Sequence, residues 1–206
     1  MTNQKAINKE IKKHLGDTKP LRIFKKWLDQ AFKSSEKKED SWFMVLSTCY
    51  KNQVSSRVVL LKEIQGEEIV FYTNYLSEKG LQISKNPQVA VNFYWPHLKK
   101  QIRLKGKVVK TSRKKSLSYW KSRHRQSQIS QNISRQSQKL SSRKELLDLK
   151  DQMEKKERSI PCPLHWGGYR IKIQKIEFWK DDKHRLHDRF LFEKKGGVWK
   201  VQRLFP

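Results

Sequence analysis

Five short apolar runs lie between residues 42 and 110, and their spacing constrains the fold more than any other feature of the sequence. The runs are WFMVLSTC (42–49), SRVVLLK (56–62), EIVFYT (68–73), VAVNFYW (89–95) and IRLKGKVVK (102–110). They are rich in aromatic and β-branched residues, and polar segments such as KNQ, QGE and KNPQ separate them. This pattern is typical of antiparallel strands joined by hairpins. It predicts a sheet that forms a barrel or a sandwich.

Helical patterns flank and interrupt these runs. The segment PLRIFKKWLDQAF, which begins at Pro20, has apolar residues at helical spacing after a proline suited to a first turn. Residues 112–122 and 142–155 also have helical spacing. The polar, serine-rich residues 126–142 instead predict a linker or surface loop.

Four further strand-like runs, YRIKI, KIEFW, RFLFEK and VWKVQRL, lead to the C-terminus. We expect them to join the same sheet as the earlier runs, which makes one domain the simplest organisation. The predicted fold class is α+β, mainly β, with a single domain over residues 20–206. Residues 1–19 are predicted to be a flexible N-terminal segment.

The charge of the chain is unusual and uneven. The 206 residues carry a formal net charge of +27, and no acidic residue occurs between Glu78 and Glu145. A positive field of this kind attracts nucleic acid, and it also attracts small phosphorylated molecules. Charge alone therefore leaves two alternatives, a nucleic-acid-binding protein and an enzyme that acts on phosphate esters.

Several classes of protein fit the sequence poorly. Cys49 and Cys162 are the only cysteines, so no disulfide framework or cysteine-rich zinc site is expected. His165, His184 and His187 lack the accompanying ligands of a metal site, and no P-loop or dinucleotide-binding glycine motif occurs. No apolar run approaches the roughly 20 residues that cross a bilayer, and the N-terminus lacks the apolar core of a signal peptide. We expect a cytoplasmic protein with no membrane partner.

The segment HRLHDRF, residues 184–190, concentrates histidine and arginine side chains. Read as a strand, it places Arg185, His187 and Arg189 on one face and Asp188 on the other. The three donors suit an anionic, planar or phosphorylated ligand, because arginine offers a rigid fork of donors and histidine exchanges protons near neutral pH. Asp188 is expected to pair with a basic neighbour. The alternative is a solvated basic strand near the chain end.

Two further segments are candidates for phosphate binding. Arg57 and Lys62 stand at opposite ends of RVVLLK, and strand alternation places them on opposite faces, so a shared ligand requires a bend, a bulge or a strand end between them. In YTNYLSEKG a strand ends in a turn where Thr73, Asn74 and Lys79 could hold a phosphate. Taken alone, each segment also fits an ordinary strand with polar ends.

The segment SYWKSRHRQSQ is a third candidate. Tyr119 and Arg123 are four residues apart on one helical face, and Ser127 follows at the same spacing if the helix continues. These side chains would form a phosphate clamp, and the alternative is a basic surface helix. In HWGGYR, the paired Gly167 and Gly168 are best explained by a tight turn.

Taken in order, these segments resemble one family, the FMN-dependent pyridoxamine 5′-phosphate oxidases. The matching stretches are RVVLLK, VFYTN, NFYW, QIRLKGKV, SYWKSRHRQSQI, HWGGYR, IEFW, RLHDRF and RLFP. The resemblance implies a split β-barrel homodimer with two FMN molecules at the subunit interface. It also implies oxidation of pyridoxine or pyridoxamine 5′-phosphate to pyridoxal 5′-phosphate, with O2 as electron acceptor and H2O2 as product.

The resemblance also assigns roles to individual residues. The implied FMN ligands are Arg57, Lys62, Tyr72, Thr73, Lys79, Gln101, Gln136, Ser137, Trp179 and Arg189. The implied ligands of the substrate phosphate are Lys62, Tyr119, Arg123 and Ser127. Arg185 and His187 would cover the substrate ring and act as the catalytic residues. No metal is implied, and nucleic acid is not expected as a specific partner.

The chain departs from the family pattern at Glu78, where the family often has a second arginine beside Lys79. After SQI the chain reads SQNIS, residues 130–134, where the family usually has a small residue and an aromatic one. The segment before Pro20 lacks the arginine and tyrosine pattern that closes over the substrate in the family. Two alternatives therefore stay open, a flavin-binding split barrel of other specificity and a basic nucleic-acid-binding protein.

Overall fold

The computed structural model describes residues 2–156 and 159–206. The helices are α1 (Thr2–Leu15), α2 (Pro20–Ser34), α3 (Glu78–Lys85), α4 (Arg113–Lys121), α5 (Arg125–Ile133) and α6 (Arg143–Lys156). The strands are β1 (Phe43–Tyr50), β2 (Gln53–Leu60), β3 (Glu63–Gln65), β4 (Glu68–Asn74), β5 (Gln88–Trp95), β6 (Lys100–Lys110), β7 (Trp166–Lys180), β8 (Asp188–Lys195) and β9 (Val198–Arg203). Three short 3-10 turns complete the regular structure of these residues. Within the described ranges, no helix combines the length and apolar character needed to span a membrane.

All nine strands of the described residues belong to one sheet, in which every recorded pairing is antiparallel. The sheet is organised around the long strand β7. Its one edge pairs with β6, while its other edge pairs first with β4 and then with β8. The five strands predicted between residues 42 and 110 are confirmed as β1, β2, β4, β5 and β6. The split of partners along β7 gives the architecture of a split barrel.

The predicted amphipathic helix is confirmed as α2, with Pro20 in its first turn. Ile23, Phe24, Trp27, Leu28 and Ala31 of its apolar face are buried in the main core. The Phe24 ring packs 5.2 Å from the Phe93 ring, and the Trp27 ring meets the Phe178 ring edge-on at 5.3 Å. Burial of such aromatic side chains supplies much of the stabilisation of a core of this size.

The N-terminal residues differ from the expectation of a flexible segment, because residues 2–15 form helix α1. Ile11 and Leu15 of this helix are buried in the main core. His14 Nδ1 lies 2.6 Å from Asp188 Oδ2 at the start of β8. The polar composition of the segment masks this docking, in which Ile7 also packs against the main core and Glu10 Oε2 lies 3.3 Å from Arg203 Nη1.

The prediction of a linker over residues 126–142 is wrong for its first half, which lies within helix α5. Ile129 of α5 is fully buried and packs with Trp120 and Trp166 in a second, smaller core. Ile133 follows one helical turn later against the same cluster. The burial of these two isoleucines, four residues apart on one helical face, stabilises a helix here in spite of the serine-rich composition of the segment. The predicted helix over 142–155 is confirmed as α6.

The prediction of a tight turn at Gly167 and Gly168 is also wrong, because both residues lie in β7 opposite Thr73 and Tyr72 of β4. The glycines are required by close packing. A Cβ atom on Gly168 would lie 2.7 Å from Thr111 Oγ1 and 2.8 Å from Tyr72 Cε1. The absence of side chains at these positions therefore leaves room for neighbouring side chains to pack directly against the strand.

Candidate functional site

A cavity of about 520 Å³ opens beside the ends of β2 and β4. Its wall includes nine of the predicted ligands, namely Arg57, Lys62, Tyr72, Thr73, Lys79, Tyr119, Arg123, Gln136 and Ser137. Strand β2 ends at Leu60, so Lys62 lies beyond the strand and reaches the same cavity as Arg57. Of the bend, bulge or strand end that would let these two cations share a site, the structure shows the strand end.

Arg57 is held firmly by the sheet. Its Nη1 donates to Thr48 Oγ1 at 2.7 Å, to the Ser55 carbonyl at 3.0 Å and to the Leu46 carbonyl at 3.2 Å. Burial lowers the pKa of Arg57, and an arginine still keeps its charge near neutral pH. The guanidinium is thus a fixed positive charge at one end of the cavity.

Lys79 is the most deeply buried cation of the cavity. Its Nζ lies 3.1 Å from Ser77 Oγ and 3.4 Å from Thr73 Oγ1, at the start of helix α3. Burial, together with the nearby charge of Arg57, lowers the pKa of Lys79 to about 8. A phosphate bound here would place a negative charge next to the Lys79 ammonium group and so favour its charged form.

Glu78 is the one acidic side chain in the wall of this cavity among the residues that the structure describes. Its Oε2 lies 3.8 Å from Arg57 Nη2, and its Oε1 accepts hydrogen bonds from Ser55 and Gln82. The backbone N–H of Glu78 donates to Ser137 Oγ at 3.2 Å. Glu78 therefore partly neutralises the positive charge at the end of the cavity that holds Arg57.

Aromatic rings form the opposite wall. The Tyr72 ring lies nearly parallel to both neighbours, with its centroid 3.9 Å from that of Tyr119 and 5.5 Å from that of Trp166. The Arg123 guanidinium lies 5.1 Å from the Trp166 ring centroid. Burial, with a further contribution from nearby Glu63, raises the pKa of Tyr72 to about 12, which keeps the phenol neutral. The wall therefore combines flat apolar surface with cations.

Arg123 also supplies an unused donor. Its Nε is buried and has no hydrogen-bond partner in the described part of the chain. A buried donor of this kind costs free energy unless a ligand or water accepts from it. The orphaned Nε is therefore evidence that the cavity is built for an acceptor such as a phosphate oxygen.

The helix predicted over residues 112–122 is confirmed as α4, which ends at Lys121, and the condition that it continue to Ser127 is not met, because a separate helix α5 begins at Arg125. The break turns the chain between Arg123 and Ser127. Arg123 Nη2 still reaches the Ser127 carbonyl at 3.4 Å. Ser127 is half-buried next to the cavity and is absent from its wall.

Three other predicted FMN ligands form a second group far from the cavity. Gln101 of β6, Trp179 of β7 and Arg189 of β8 are direct partners in one row across the sheet. Arg189 is fixed by Glu177, whose Oε1 lies 2.9 Å from Nε and 2.8 Å from Nη2. Glu177 is itself buried and also binds Arg103. The row thus presents an aromatic ring between two polar side chains.

The strand predicted over residues 184–187 is wrong. Residues 183–185 form a 3-10 turn, His184 and Arg185 have positive φ angles of 55° and 61°, and β8 begins only at Asp188. Arg185 is exposed, so this part of the chain projects from the sheet. The expected pairing of Asp188 is confirmed, since Arg203 Nη2 donates to its Oδ1 at 2.6 Å.

His187 lies beside the second group. Its ring centroid is 4.6 Å from that of Trp179, and its Nδ1 is 3.0 Å from Asp181 Oδ1. Residues 185–189 therefore belong with Trp179 and not with the cavity. The RLHDR motif and the predicted phosphate ligands occupy different places on the subunit.

The two groups of residues lie at opposite ends of β7. Gly167, next to the cavity, and Trp179, in the second group, are separated by roughly 40 Å of strand at about 3.3 Å per residue. None of the residues of the second group lines the cavity. Within one subunit the structure brings together the predicted phosphate ligands, and it does not bring them to Gln101, Trp179, Arg185, His187 or Arg189.

Sequence reasoning missed some residues of both groups. Trp166 and Gln131 line the cavity, and Glu177 and Asp181 hold the second group. Trp166 could have been predicted, because the two glycines that follow it in the strand leave room for its ring to pack against a neighbouring aromatic side chain. Glu177 and Asp181 carry no comparable signal in the sequence, since their contacts with Arg189 and His187 depend on the pairing of β7 with β8 and on the turn between them.

The fold and the site together define a split-barrel protein whose basic, aromatic-walled cavity suits a phosphorylated ring compound. Residues 32–150 match the family model described as pyridoxamine 5′-phosphate oxidase, and residues 166–206 match the pyridoxine 5′-phosphate oxidase C-terminal dimerisation region. The chain belongs to the pyridoxine/pyridoxamine 5′-phosphate oxidase family.

Individual relatives agree with this assignment. A pyridoxine/pyridoxamine 5′-phosphate oxidase of Klebsiella pneumoniae is 39% identical over 201 residues, which cover 95% of this chain and 90% of the relative. The enzyme of the same name from Legionella pneumophila strain Paris is 40% identical over 200 residues, covering 96% and 92%. The crystal structure of PhzG from Burkholderia lata 383, in complex with tetrahydrophenazine-1-carboxylic acid, superposes with a TM-score of 0.86 at 26% identity, covering 91% of this chain and 93% of PhzG.

Enzymes of this family depend on FMN. The residues of the cavity fit the phosphate end of this cofactor, because Arg57 and Lys79 are fixed cations and Thr73 and Ser137 add hydroxyl groups. The orphaned Nε of Arg123 fits a second anionic group in the same cavity. The donor set therefore agrees with a site for phosphorylated ligands.

Proposed function

We propose that this chain is an oxidase that converts pyridoxamine or pyridoxine 5′-phosphate to pyridoxal 5′-phosphate. The observation that supports the proposal most directly is the cavity, in which separate sets of cations and hydroxyl groups converge beside an aromatic wall. Bound FMN supplies the two-electron acceptor for the oxidation of the 4′ carbon, and O2 then takes the electrons to give H2O2. The oxidation of pyridoxamine phosphate also needs water, which releases ammonia.

The protein binds the FMN phosphate through Arg57, Lys79, Thr73 and Ser137. Arg57 is fixed by three acceptors of the sheet, and Lys79 is held by Ser77 and Thr73. Charge-assisted hydrogen bonds from such fixed donors are stronger than neutral ones. Lys62, Tyr72 and Gln136 complete the proposed contacts on this side of the cofactor.

The substrate phosphate is bound by Lys62, Tyr119, Arg123 and Ser127. Arg123 offers its free Nε, and stacking on Trp166 fixes the plane of its guanidinium. A substrate held by its phosphate has its ring directed along the aromatic wall. Anchoring of this kind lowers the entropic cost of aligning the 4′ carbon with the cofactor.

We further propose that the active unit is a homodimer in which Gln101, Trp179 and Arg189 of each chain complete the FMN site of the other. The separation of these residues from the cavity along β7 supports a shared site. In the same arrangement, Arg185 and His187 of one chain cover the substrate ring bound to the other. Arg185 aligns the 4′ group, and His187 forms a hydrogen bond to the substrate.

An exposed apolar face on the β1–β2 hairpin supports the proposal that the chain pairs with a second copy. On the outer face of the β1–β2 hairpin, Phe43 pairs with Leu60 and Val45 pairs with Val58, and all four side chains are exposed. A contiguous apolar face of this kind is typical of a protein interface. Residues 166–206 also match a dimerisation region by sequence.

The proposal is tested by purifying the chain and measuring bound FMN, pyridoxal 5′-phosphate formation and H2O2 release in parallel. We expect a yellow protein that oxidises pyridoxamine 5′-phosphate and yields equal amounts of the two products. Pyridoxamine without its phosphate is the matched control, and its turnover should be far lower because Arg123 and Lys62 lose their ligand. Bound FMN without oxidation of either phosphorylated vitamer would instead favour a split barrel of other specificity.

A further inference from the structure

Glu177 places a buried carboxylate within the sheet. It lies on β7, and only 9% of its side chain is exposed. Its direct strand neighbours are Arg103 on β6 and Leu191 on β8. A buried carboxylate is costly unless cations or N–H donors pair with it. The partners of Glu177 therefore indicate what this side chain does.

Two arginines share the carboxylate of Glu177, one at each oxygen. Arg189 Nε donates to Oε1 at 2.9 Å, and Arg189 Nη2 lies 2.8 Å from the same oxygen. Arg103 Nη1 donates to Oε2 at 3.1 Å. The Arg189 side chain is 22% exposed, whereas that of Arg103 is 51% exposed. Arg189 is therefore the more restrained of the two cations.

A second contact fixes the other end of the Arg189 guanidinium. Its Nη1 donates to the Phe205 carbonyl at 2.9 Å. The backbone carbonyl of Arg189 also accepts from the Leu204 N–H at 2.9 Å. A planar guanidinium that is held at both Nε and Nη1 has its orientation set, and its remaining N–H groups are left for a ligand.

Glu177 also lies next to the other residues of the second group. Trp179 is the direct strand partner of Arg189, and Glu177 precedes Trp179 by two residues, which places both on one face of β7. The carboxylate is thus surrounded by side chains that the proposed FMN site uses, although it is not itself one of the proposed ligands.

We infer that Glu177 is a positioning residue, which fixes the Arg189 guanidinium in the orientation that completes the FMN site. The inference rests on the proposed function, in which Arg189 contacts FMN. An arginine that is ordered before binding loses less conformational entropy when the ligand arrives than a free one does. Glu177 therefore raises FMN affinity through Arg189.

Fluorescence titration of the apoprotein with FMN tests this role without reference to turnover. We expect Glu177→Ala to raise the dissociation constant by about tenfold, because Arg189 loses its charge-assisted partner. Glu177→Gln should lose less, since its amide oxygen still accepts from Arg189 Nε–H. Arg103→Ala is the matched control. It removes the other arginine held by the same carboxylate, and its FMN affinity should stay within about twofold of wild type.

A double-mutant cycle separates positioning from a purely structural role. Arg189→Ala alone should weaken FMN binding, and adding Glu177→Ala to it should cause no further loss if Glu177 acts through Arg189. Denaturant unfolding of each apoprotein verifies that the variants are folded. Additive losses of affinity, or wild-type affinity in Glu177→Ala beside a weakened Arg189→Ala, would overturn the inference. Wild-type affinity in Arg189→Ala would instead refute the place of Arg189 in the proposed FMN site, on which the inference rests.

Discussion

Glu78 Oε2 lies 3.8 Å from Arg57 Nη2, so a carboxylate faces the cation that is best placed to bind the FMN phosphate. The same carboxylate accepts from Ser55 and Gln82, which keeps it at the cavity wall. A phosphate that approaches Arg57 must therefore compete with Glu78. A basic residue at this position would remove this competition.

We predict that Glu78→Arg tightens FMN binding by several-fold to about tenfold. A well-placed charge-assisted contact is worth about 1.5–3 kcal/mol, and the exposure of position 78 reduces the gain. Fluorescence titration of the apoprotein with FMN measures the change. Glu78→Gln is the control that removes the charge without adding a cation, and its gain should be smaller. An unchanged or weaker affinity in Glu78→Arg would show that position 78 does not face the phosphate.

FMN affinity should fall as the pH rises above about 8. Burial and Arg57 lower the pKa of Lys79 from 10.5 to about 8 in the ligand-free protein. A bound phosphate favours the ammonium form, so binding is coupled to proton uptake above this pH. The dissociation constant should rise by up to about tenfold per pH unit. FMN titrations of wild type and Lys79→Met at about pH 7, 8 and 9 measure this effect. The affinity of Lys79→Met should not show this fall with pH.

The same shift has a consequence for stability. The folded protein holds the proton of Lys79 less tightly than the unfolded chain does. Between about pH 8 and 10.5 the unfolded chain therefore binds more protons, and this group makes the fold more stable as the pH rises through that interval. Denaturant unfolding of the apoprotein should show this contribution in wild type and not in Lys79→Met.

Arg185→Leu should lower the kcat for pyridoxamine 5′-phosphate by on the order of a hundredfold, because one alignment contact is lost. FMN affinity should change little. Arg185 is exposed in the subunit, so the substitution leaves the core intact. Stopped-flow reduction of the bound flavin measures the chemical step directly. Wild-type rates in this variant would show that Arg185 has no aligning role.

Val45→Asp should shift the protein from dimer to monomer. Val45 is 37% exposed on the apolar face of β1, and a carboxylate there would be desolvated in a dimer. Leu149→Asp is the matched control, since Leu149 is 38% exposed on α6. Light scattering after size-exclusion chromatography gives the mass of each. A Val45→Asp variant that stays dimeric would place the interface elsewhere.

The strands and α2 were predictable because their signals are local. Alternating apolar residues identified β1, β2, β4, β5 and β6, and the spacing of Phe24, Trp27 and Leu28 identified the helix. The errors at Gly167 and over residues 125–133 arose because distant contacts decide them. The glycine fits against Tyr75 and Ser116, and the helix is stabilised where Ile129 meets Trp120 and Trp166.

The candidate site was predictable only in its residue types. The ordered motifs identified Arg57, Lys79 and Arg123, and the structure brings these three into one cavity. Their separation from His187 along β7 could not be read from the sequence, because it depends on the pairing of β7 with both β4 and β8. The carboxylate of Asp181 gains its place from the Lys99 backbone, a contact that no local pattern encodes.

Complementation between two inactive chains tests the central claim most directly, namely that one oxidase site is built from two subunits. Lys79→Met damages the cavity, and Arg185→Leu damages the segment that covers the substrate. When the two variants are unfolded and refolded together in equal amounts, half of the dimers are mixed, and each mixed dimer has one site with an intact cavity and an intact Arg185. The account predicts that pyridoxamine 5′-phosphate oxidation recovers to about a quarter of the wild-type rate, as expected for random two-fold pairing. Activity that stays at the level of the separate variants would contradict it.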